Sequence, residues 1–140
     1  YLGGTHSASA ILKEQSQNVK AADKAAIQNQ MCDITRDLKK ELQNNNIDAM
    51  GELLHHNWML KKSLASGITN PLIDEAYDKA LSAGATGGKL LGAGGAGFMI
   101  FYVPEDRHEA VRTALSNLRE MEFEMDNSGA SIVMTDREFI

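Results

Sequence analysis

The sequence has few of the residues that mark several protein classes. A single cysteine, Cys32, among 140 residues excludes an internal disulfide framework and disfavours a zinc site built on cysteines. No stretch approaches the roughly 18 apolar residues that span a bilayer, and no segment has the pattern of a signal peptide. The net charge of -5 argues against a nucleic-acid-binding surface. We therefore expect a cytoplasmic protein that binds neither nucleic acid nor membrane and has no metal ligands of its own.

The rest of the composition is that of an ordinary folded domain. Hydrophobic residues make up 43% and charged residues 24% of the chain, which argues against disorder. A chain of this length fits one domain and buries roughly 68–70% of its unfolded surface, enough to fold without disulfides or metals. We therefore take residues 1–140 as one domain. The opening Tyr1-Leu2 is typical of the middle of a strand, so we also expect further sequence upstream.

Apolar residues recur at helical spacing over the first 84 positions. One stripe, at spacings of 4, 3, 4 and 4, is formed by Ile27, Met31, Ile34, Leu38 and Leu42. Asp48 is expected to cap the next helix, and Asn70 with Pro71 has the pattern of a further helix start. The predicted helices cover residues 7–16, 23–44, 49–66 and 71–83.

Strand patterns dominate the second half of the chain. The apolar run 98–103 ends at Pro104 and predicts a buried strand. A helix is predicted from Glu105 to about residue 121, with Met121 facing inward. Alternation over residues 122–126, a turn at 127–129 and an apolar run at 130–134 predict a hairpin. Because helices and strands are partly segregated, the fold class is α+β, with helices on one face of a mainly antiparallel sheet.

Glycine is concentrated in one short segment. Seven of the twelve glycines lie between Gly84 and Gly97, and the order of elements predicts that this segment is a loop joining a helix to a strand. Glycine permits positive φ and lets a ligand approach the main chain, and aligned N–H groups can bind phosphate. The alternatives are a tight turn or glycines that admit a neighbouring backbone.

Two common nucleotide-binding patterns do not fit this segment. The Walker pattern needs Ser or Thr after Gly-Lys, but Lys89 is followed by Leu90. The dinucleotide fingerprint follows a strand and opens a helix, whereas this segment follows a helix and opens a strand. A phosphate loop of either kind is therefore excluded here.

The glycine-rich segment resembles a known motif. Residues 87–98, Gly-Gly-Lys-Leu-Leu-Gly-Ala-Gly-Gly-Ala-Gly-Phe, are similar to the third motif of the GHMP kinase superfamily. Leu54-His55, Trp58 and residues 60–64, 68–74 and 3–12 resemble the members that act on D-glycero-D-manno-heptose 7-phosphate, so the resemblance covers essentially the whole chain.

Two positions depart from the family pattern. Ala96 stands where the family usually has glycine, which requires a negative φ at that residue. His6 stands where close relatives often have Arg, which would weaken a phosphate contact there and make it pH-dependent.

The resemblance implies a fold and an activity. The fold would be the ferredoxin-like two-layer sandwich of the GHMP C-terminal domain. The activity would be transfer of a phosphoryl group from ATP, with Mg²⁺, to a sugar hydroxyl, in heptose relatives the anomeric one. The family's phosphate loop and candidate base would lie in an N-terminal domain absent from these residues. We therefore expect the chain to contain no catalytic residue of its own, to be inactive alone and to self-associate through the face that meets the absent domain.

The resemblance also implies which residues line the site. His6, Trp58 and Lys61 are candidates for binding the sugar or sugar phosphate, although Trp58 is most simply a core residue and Lys61 a solvated cation. Support for the nucleotide loop is expected from Gly87, Gly88, Lys89, Gly92, Ala93, Gly94, Gly95, Ala96 and Gly97. Two alternatives remain: a galactose- or fucose-type kinase, and a non-catalytic module of the same fold that binds a small ligand.

Overall fold

Helices and one antiparallel hairpin make up the described part of the chain. The computed structural model describes residues 1–3, 8–18, 22–124, 126, 128 and 129. The elements in chain order are α1 (Ala8–Asn18), α2 (Ala22–Gln43), α3 (Ala49–Lys62), α4 (Pro71–Ser82), β1 (Gly87–Leu90), β2 (Met99–Tyr102), a 3₁₀ turn (Glu105–Arg107) and α5 (His108–Ala114). The predicted strand at 130–134 and the first residue of the turn before it, residue 127, lie outside the described residues.

The two strands pair antiparallel. Gly87 lies opposite Tyr102 and Leu90 opposite Met99, and a further hydrogen bond joins the Leu91 amide to the Phe98 carbonyl at 2.8 Å. The predicted strand at 98–103 is confirmed as β2. The prediction that the whole glycine-rich segment is a loop is wrong for its first half, which forms β1. Glycine and lysine are depleted in strands, so the sequence pattern concealed this strand.

The long helices follow their apolar patterns. The predicted helices at 23–44 and 71–83 correspond to α2 and α4 within a residue or two. At the start of α4, the Asn70 side chain accepts a hydrogen bond from the Ile73 amide at 3.1 Å, and Pro71 occupies the first turn. Asp48 precedes α3 but makes no side-chain cap; its carboxylate accepts a hydrogen bond from the Tyr102 hydroxyl at 2.6 Å instead.

Two predicted helices end early. The third ends at Lys62 rather than at residue 66, since the chain turns there and carries Leu64 and Ile68 fully into the core. The helix after Pro104 ends at Ala114 and leaves Met121 exposed. Phe123 is 69% exposed, and no strand forms over residues 121–124. The predicted inward position of Met121 and the strand beginning near Phe123 are therefore wrong in this structure.

The core gathers around the end of α3 and the inner side of α4. Trp58 is fully buried there, with its ring centroid 6.3 Å from that of Tyr77. The other buried members of this cluster are Ile11, Leu64, Ala65, Ile68, Ile73, Tyr77 and Leu90. A smaller cluster of Ala80, Ala85 and Val111 joins α4 to α5. The fold is α+β with an antiparallel sheet, as predicted, and in the ranges described no helix is long and apolar enough to cross a membrane.

Candidate functional site

Helix α3 runs alongside β1 in the same direction. A Cβ added to Gly87 would overlap the Gly51 carbonyl oxygen, and ten residues later the Lys61 amino group donates a hydrogen bond to the Gly92 carbonyl at 2.6 Å. Ten helical residues span about 15 Å, and five strand residues span about 17 Å. The lengths match, so the last turn of α3 lies beside the end of the strand and the start of the loop that follows.

The glycines of β1 are packed against backbone. A Cβ on Gly88 would overlap the Ile100 carbonyl oxygen and lie 2.6 Å from Cδ1 of Phe101. Gly51 of α3 is equally restricted, because a Cβ there would overlap the Thr86 hydroxyl. Close approach of α3 to the strand explains Gly51 and Gly87, and close packing of β2 explains Gly88; a neighbouring backbone was one of the two alternatives to a ligand site.

The glycines after β1 have a different environment. We call residues 92–97 the glycine loop. Its four glycines have positive φ, at 85° for Gly92, 123° for Gly94, 79° for Gly95 and 114° for Gly97. A Cβ on Gly92 or Gly97 would meet nothing within 4 Å. These two glycines are required by backbone conformation and leave open space above the main chain.

Ala96 fits this loop. Among the described residues Asn45 is the only non-glycine residue with positive φ, so Ala96 does not need the left-handed conformation that its Cβ would disfavour. The replacement of the usual glycine by Ala96 is therefore compatible with the backbone of the loop, because no positive φ is needed at this residue.

Hydrogen bonds tie the glycine loop to the start of α4. The Gly95 amide donates to the Ile68 carbonyl at 3.0 Å, and the Asn70 side-chain amide donates to the Gly95 carbonyl at 2.8 Å. Gly94 lies so close that a Cβ there would be 2.7 Å from the Ile68 Cα. Asn70 thus caps α4 with its oxygen and holds the loop with its nitrogen. Its Asn-Pro pattern predicted the cap, but nothing local in the sequence indicated the loop contact.

Two lysines lie beside the loop. Lys61 donates to Gly92, and burial together with the nearby positive charge of Lys89 lowers the pKa of Lys61. Alternation along β1 puts Lys89 on the same side as Gly87, toward α3. The adjacent Lys62 is held differently: its amino group is 3.2 Å from an Asp74 carboxylate oxygen and 5.9 Å from the centre of the Trp58 ring.

Trp58, another predicted substrate contact, lies in the core. Trp58 has no exposed surface, so its ring has no free face for a sugar, and its core position agrees with the alternative given above. His6 lies outside the described residues. Of the three candidates, the structure brings only Lys61 next to the glycine loop.

His55 and Tyr77 form a polar pair behind β1 that the sequence pattern did not predict. The Tyr77 hydroxyl is 2.8 Å from His55 Nδ1, and the two rings stack with centroids 5.9 Å apart. Burial raises the pKa of Tyr77 to about 12, while a hydrogen bond from the Gly88 amide acts in the opposite direction. The residues are 22 positions apart, and no spacing rule predicts such a contact.

The described residues contain no cluster of side chains that could bind a metal ion. No group of three or more His, Cys, Asp or Glu side chains there could bind a metal ion. Mg²⁺ is held in proteins mainly by carboxylates and phosphate oxygens, so these residues do not form a magnesium site by themselves. The glycine loop and its two lysines do suit the phosphate groups of a nucleotide or phosphorylated ligand.

Comparison with known proteins gives one family. Residues 38–122 match the family model described as GHMP kinases C terminal. A mevalonate kinase from Methanothermobacter thermautotrophicus is 32% identical over 96 residues, which are 69% of this chain and 31% of that protein. A D-glycero-alpha-D-manno-heptose 7-phosphate kinase from Campylobacter jejuni is 29% identical over 76 residues, which are 54% of this chain and 22% of that protein. The match spans less than a third of either relative.

Proposed function

Because the chain belongs to the C-terminal domain family of the GHMP kinases, we propose that it is part of an enzyme that transfers the terminal phosphoryl group of ATP to a hydroxyl group of a small molecule. Both relatives named above are kinases. The observation that carries the proposal is the glycine loop, which has open space above Gly92 and Gly97 and whose Gly92 carbonyl is bound by Lys61, with the charge of Lys89 close to that lysine. Phosphoryl transfer depends mostly on positioning and on stabilisation of charge, which is what such a loop supplies.

The loop would act together with a domain outside this chain. In this proposal, an N-terminal domain contributes the nucleotide phosphate loop, the base and any Mg²⁺ ligands, and residues 92–97 form the opposite wall of the cleft. Leu91 and Phe98, which flank the loop, are 45% and 43% exposed, and Tyr1 contacts Phe98 with ring centroids 4.8 Å apart. This apolar rim is suited to contact with such a domain.

The acceptor that we propose is D-glycero-D-manno-heptose 7-phosphate, phosphorylated at its anomeric hydroxyl. It is supported by the segments of this sequence that resemble heptose kinases and by the partial similarity to the Campylobacter jejuni protein. Mevalonate is the second candidate, because the similarity to a mevalonate kinase covers more of this chain at slightly higher identity.

The activity is tested on the chain joined to the sequence encoded upstream of Tyr1. ATP-dependent phosphorylation is measured with heptose 7-phosphate, mevalonate, galactose and fucose. We expect turnover with one of them and none from the 140-residue chain alone. Absence of a kinase phosphate loop upstream, or lack of turnover with every phosphate acceptor tried, would contradict the proposal. Preference for mevalonate would support the proposed kinase activity but would replace heptose 7-phosphate as the acceptor.

Self-association of the isolated chain is part of the proposal, because the rim of Tyr1, Leu91 and Phe98 is exposed. Sedimentation velocity at increasing concentration measures it. We expect the average mass to rise with concentration, and substitution of Leu91 and Phe98 by Ser to reduce the rise. A monomer at all concentrations would contradict it.

A further inference from the structure

Lys61 and Lys89 form a pair of like charges. A Cβ on Gly87 would meet Gly51 and His55 of α3, and Lys89 follows two residues later in the same strand, so its side chain leaves β1 on the side of the helix that carries Lys61. In agreement, the charge of Lys89 lowers the pKa of Lys61. Within the described ranges neither amino group forms an ion pair with a carboxylate. Both side chains are half-buried. Holding two cations together with reduced solvation is unfavourable, so the arrangement needs a reason.

Neighbouring cations show that pairing is available in this fold. Lys62, the next residue in α3, has a carboxylate partner in Asp74. The other cations that form ion pairs are Arg36, Lys40, Lys79, Arg107 and Arg112. A position at the end of α3 explains a cation at residue 61, since helix C-termini favour positive charge. It does not explain a second cation, Lys89, brought up from the strand.

The glycine loop fixes one of the two ammonium groups. The Lys61 amino group has three hydrogens, and one is donated to the Gly92 carbonyl at 2.6 Å. No other described residue accepts a hydrogen bond from this amino group in the structure, so two hydrogens can contact a ligand. A Cβ on Gly92 would meet nothing within 4 Å, so there is space beside the main chain at this point. An anion placed there would meet two positive charges and an accessible backbone.

We propose that Lys61 and Lys89 together bind a phosphate dianion at the mouth of the glycine loop. The phosphate is either the one already carried by the acceptor or the terminal phosphate of the nucleotide, and the inference rests on the proposed kinase function. Binding would neutralise the repulsion between the lysines, so the two contributions should be coupled. In this arrangement the two lysines recognise the negative charge of the ligand, and other groups would recognise its shape.

The first experiment uses the 140-residue chain and inorganic pyrophosphate at constant ionic strength. Amide chemical shifts of residues 92–97 are followed by NMR, and we expect saturable changes. Lys61→Met and Lys89→Met should each weaken binding at least fivefold, and the double variant should weaken it by less than the product of the two. Lys79→Met is the matched control, because Lys79 is an exposed cation paired with Glu75, and its affinity should equal that of the wild type.

Three results would overturn the inference. One is no saturable shift at residues 92–97 in the wild-type chain, and another is unchanged affinity in both single variants. The third is an equal loss in the Lys79→Met control, which would indicate only a general effect of net charge.

The second experiment separates the two sources of phosphate and separates this inference from the proposed function. In the chain extended with its upstream sequence, a rise in KM for the phosphorylated acceptor in both variants assigns the pair to the acceptor. A rise in KM for ATP alone assigns it to the nucleotide. If the extended protein is an active kinase and neither KM changes, the lysine inference fails and the function stands. If it phosphorylates nothing while the chain still binds pyrophosphate through both lysines, the function fails and the binding site stands.

Discussion

Glycines 87 and 88 in β1 and glycines 92 and 97 in the glycine loop differ in what surrounds them. A Cβ at the first pair would overlap neighbouring backbone, whereas a Cβ at the second pair would meet nothing within 4 Å. The first pair adopts strand geometry, and the second has positive φ. One glycine-rich segment thus serves two purposes: Gly87 and Gly88 let α3 and β2 pack closely on the strand, whereas Gly92 and Gly97 shape an open main chain. The comparison shows that glycine density alone does not identify a ligand site.

The largest effect is expected at the crowded half. Gly87→Ala would place a methyl group on the Gly51 carbonyl oxygen, and because backbone cannot rotate away as a side chain can, we expect a loss of about 3 kcal/mol in unfolding free energy. Urea denaturation followed by circular dichroism measures it. Gly67→Ala is the matched control, since its Cβ would meet only the Ile11 side chain, at 3.3 Å, and should cost less than about 1 kcal/mol. Equal losses in the two variants would contradict the account of β1.

A pH effect follows from the residue packed behind the crowded half. Tyrosine in the unfolded chain ionises near its ordinary value of 10 and in the folded chain near a pKa of about 12. Between these values the folded state binds more protons, so stability is fully present below pH 10 and falls by about 2 kcal/mol as the pH rises toward 12.

Tyr77→Phe isolates this contribution. The variant should lose about 1 kcal/mol at pH 7 through the missing hydrogen bond to His55, and should lose less stability than the wild type between pH 10 and pH 11.5. Urea denaturation at a series of pH values gives both quantities. Parallel stability curves for the two proteins over that range would rule out the raised pKa as the cause.

A smaller effect on stability is expected at the open half. Gly92→Ala introduces no clash, so its cost is the strain of an L-residue at a φ of 85°, about 1–2 kcal/mol. Gly129→Ala, at a φ of 63° with equally open surroundings, is the matched control and should cost about the same. Denaturation midpoints compare them. If Gly92→Ala lost as much unfolding free energy as Gly87→Ala, the proposed distinction between crowded β1 and the open glycine loop would be wrong.

The smallest effect on stability is expected at Lys61. Its lowered pKa means that charge at this position opposes folding at neutral pH, and that stability rises as the pH increases toward 10.5. Lys61→Met removes the unfavourable charge and also removes the favourable hydrogen bond to Gly92. Because the two effects oppose each other, we expect the unfolding free energy to change by no more than about 0.5 kcal/mol. A large destabilisation, seen in the same denaturation assay, would show that Lys61 has a structural role.

Local patterns predicted part of this molecule well. Asn70 with Pro71 marked the start of α4, and the run before Pro104 marked β2, because capping and burial act within a few residues. The sequence did not reveal β1, since Gly87 and Gly88 have poor strand propensity. Gly87 is explained only by Gly51 on a helix 36 residues earlier, and Gly88 only by the neighbouring strand β2. The end of α3 was misplaced for a similar reason: tertiary burial of Leu64 and Ile68 outweighed continued helical spacing.

The residues of the proposed site were partly named from the sequence, and their role stays a prediction. The glycine-rich motif located residues 92–97, and Lys61 was among the candidates, but its position beside Gly92 depends on the parallel course of α3 and β1. That alignment can be calculated from helix and strand lengths only once β1 is known to be a strand. Asn70 as the residue that holds the loop could not be predicted, because the contact spans 25 residues and no periodic pattern records it.

The claim that the glycine loop handles phosphate, and is more than a turn, is tested most directly by kinase activity in the chain extended with its upstream sequence. Gly92→Ala and Gly129→Ala carry similar backbone strain and similar open surroundings, so a structural cost alone would affect both alike. We predict that kcat/KM falls at least tenfold in Gly92→Ala and stays within twofold of the wild type in Gly129→Ala. Equal activity in the two folded variants would contradict the account.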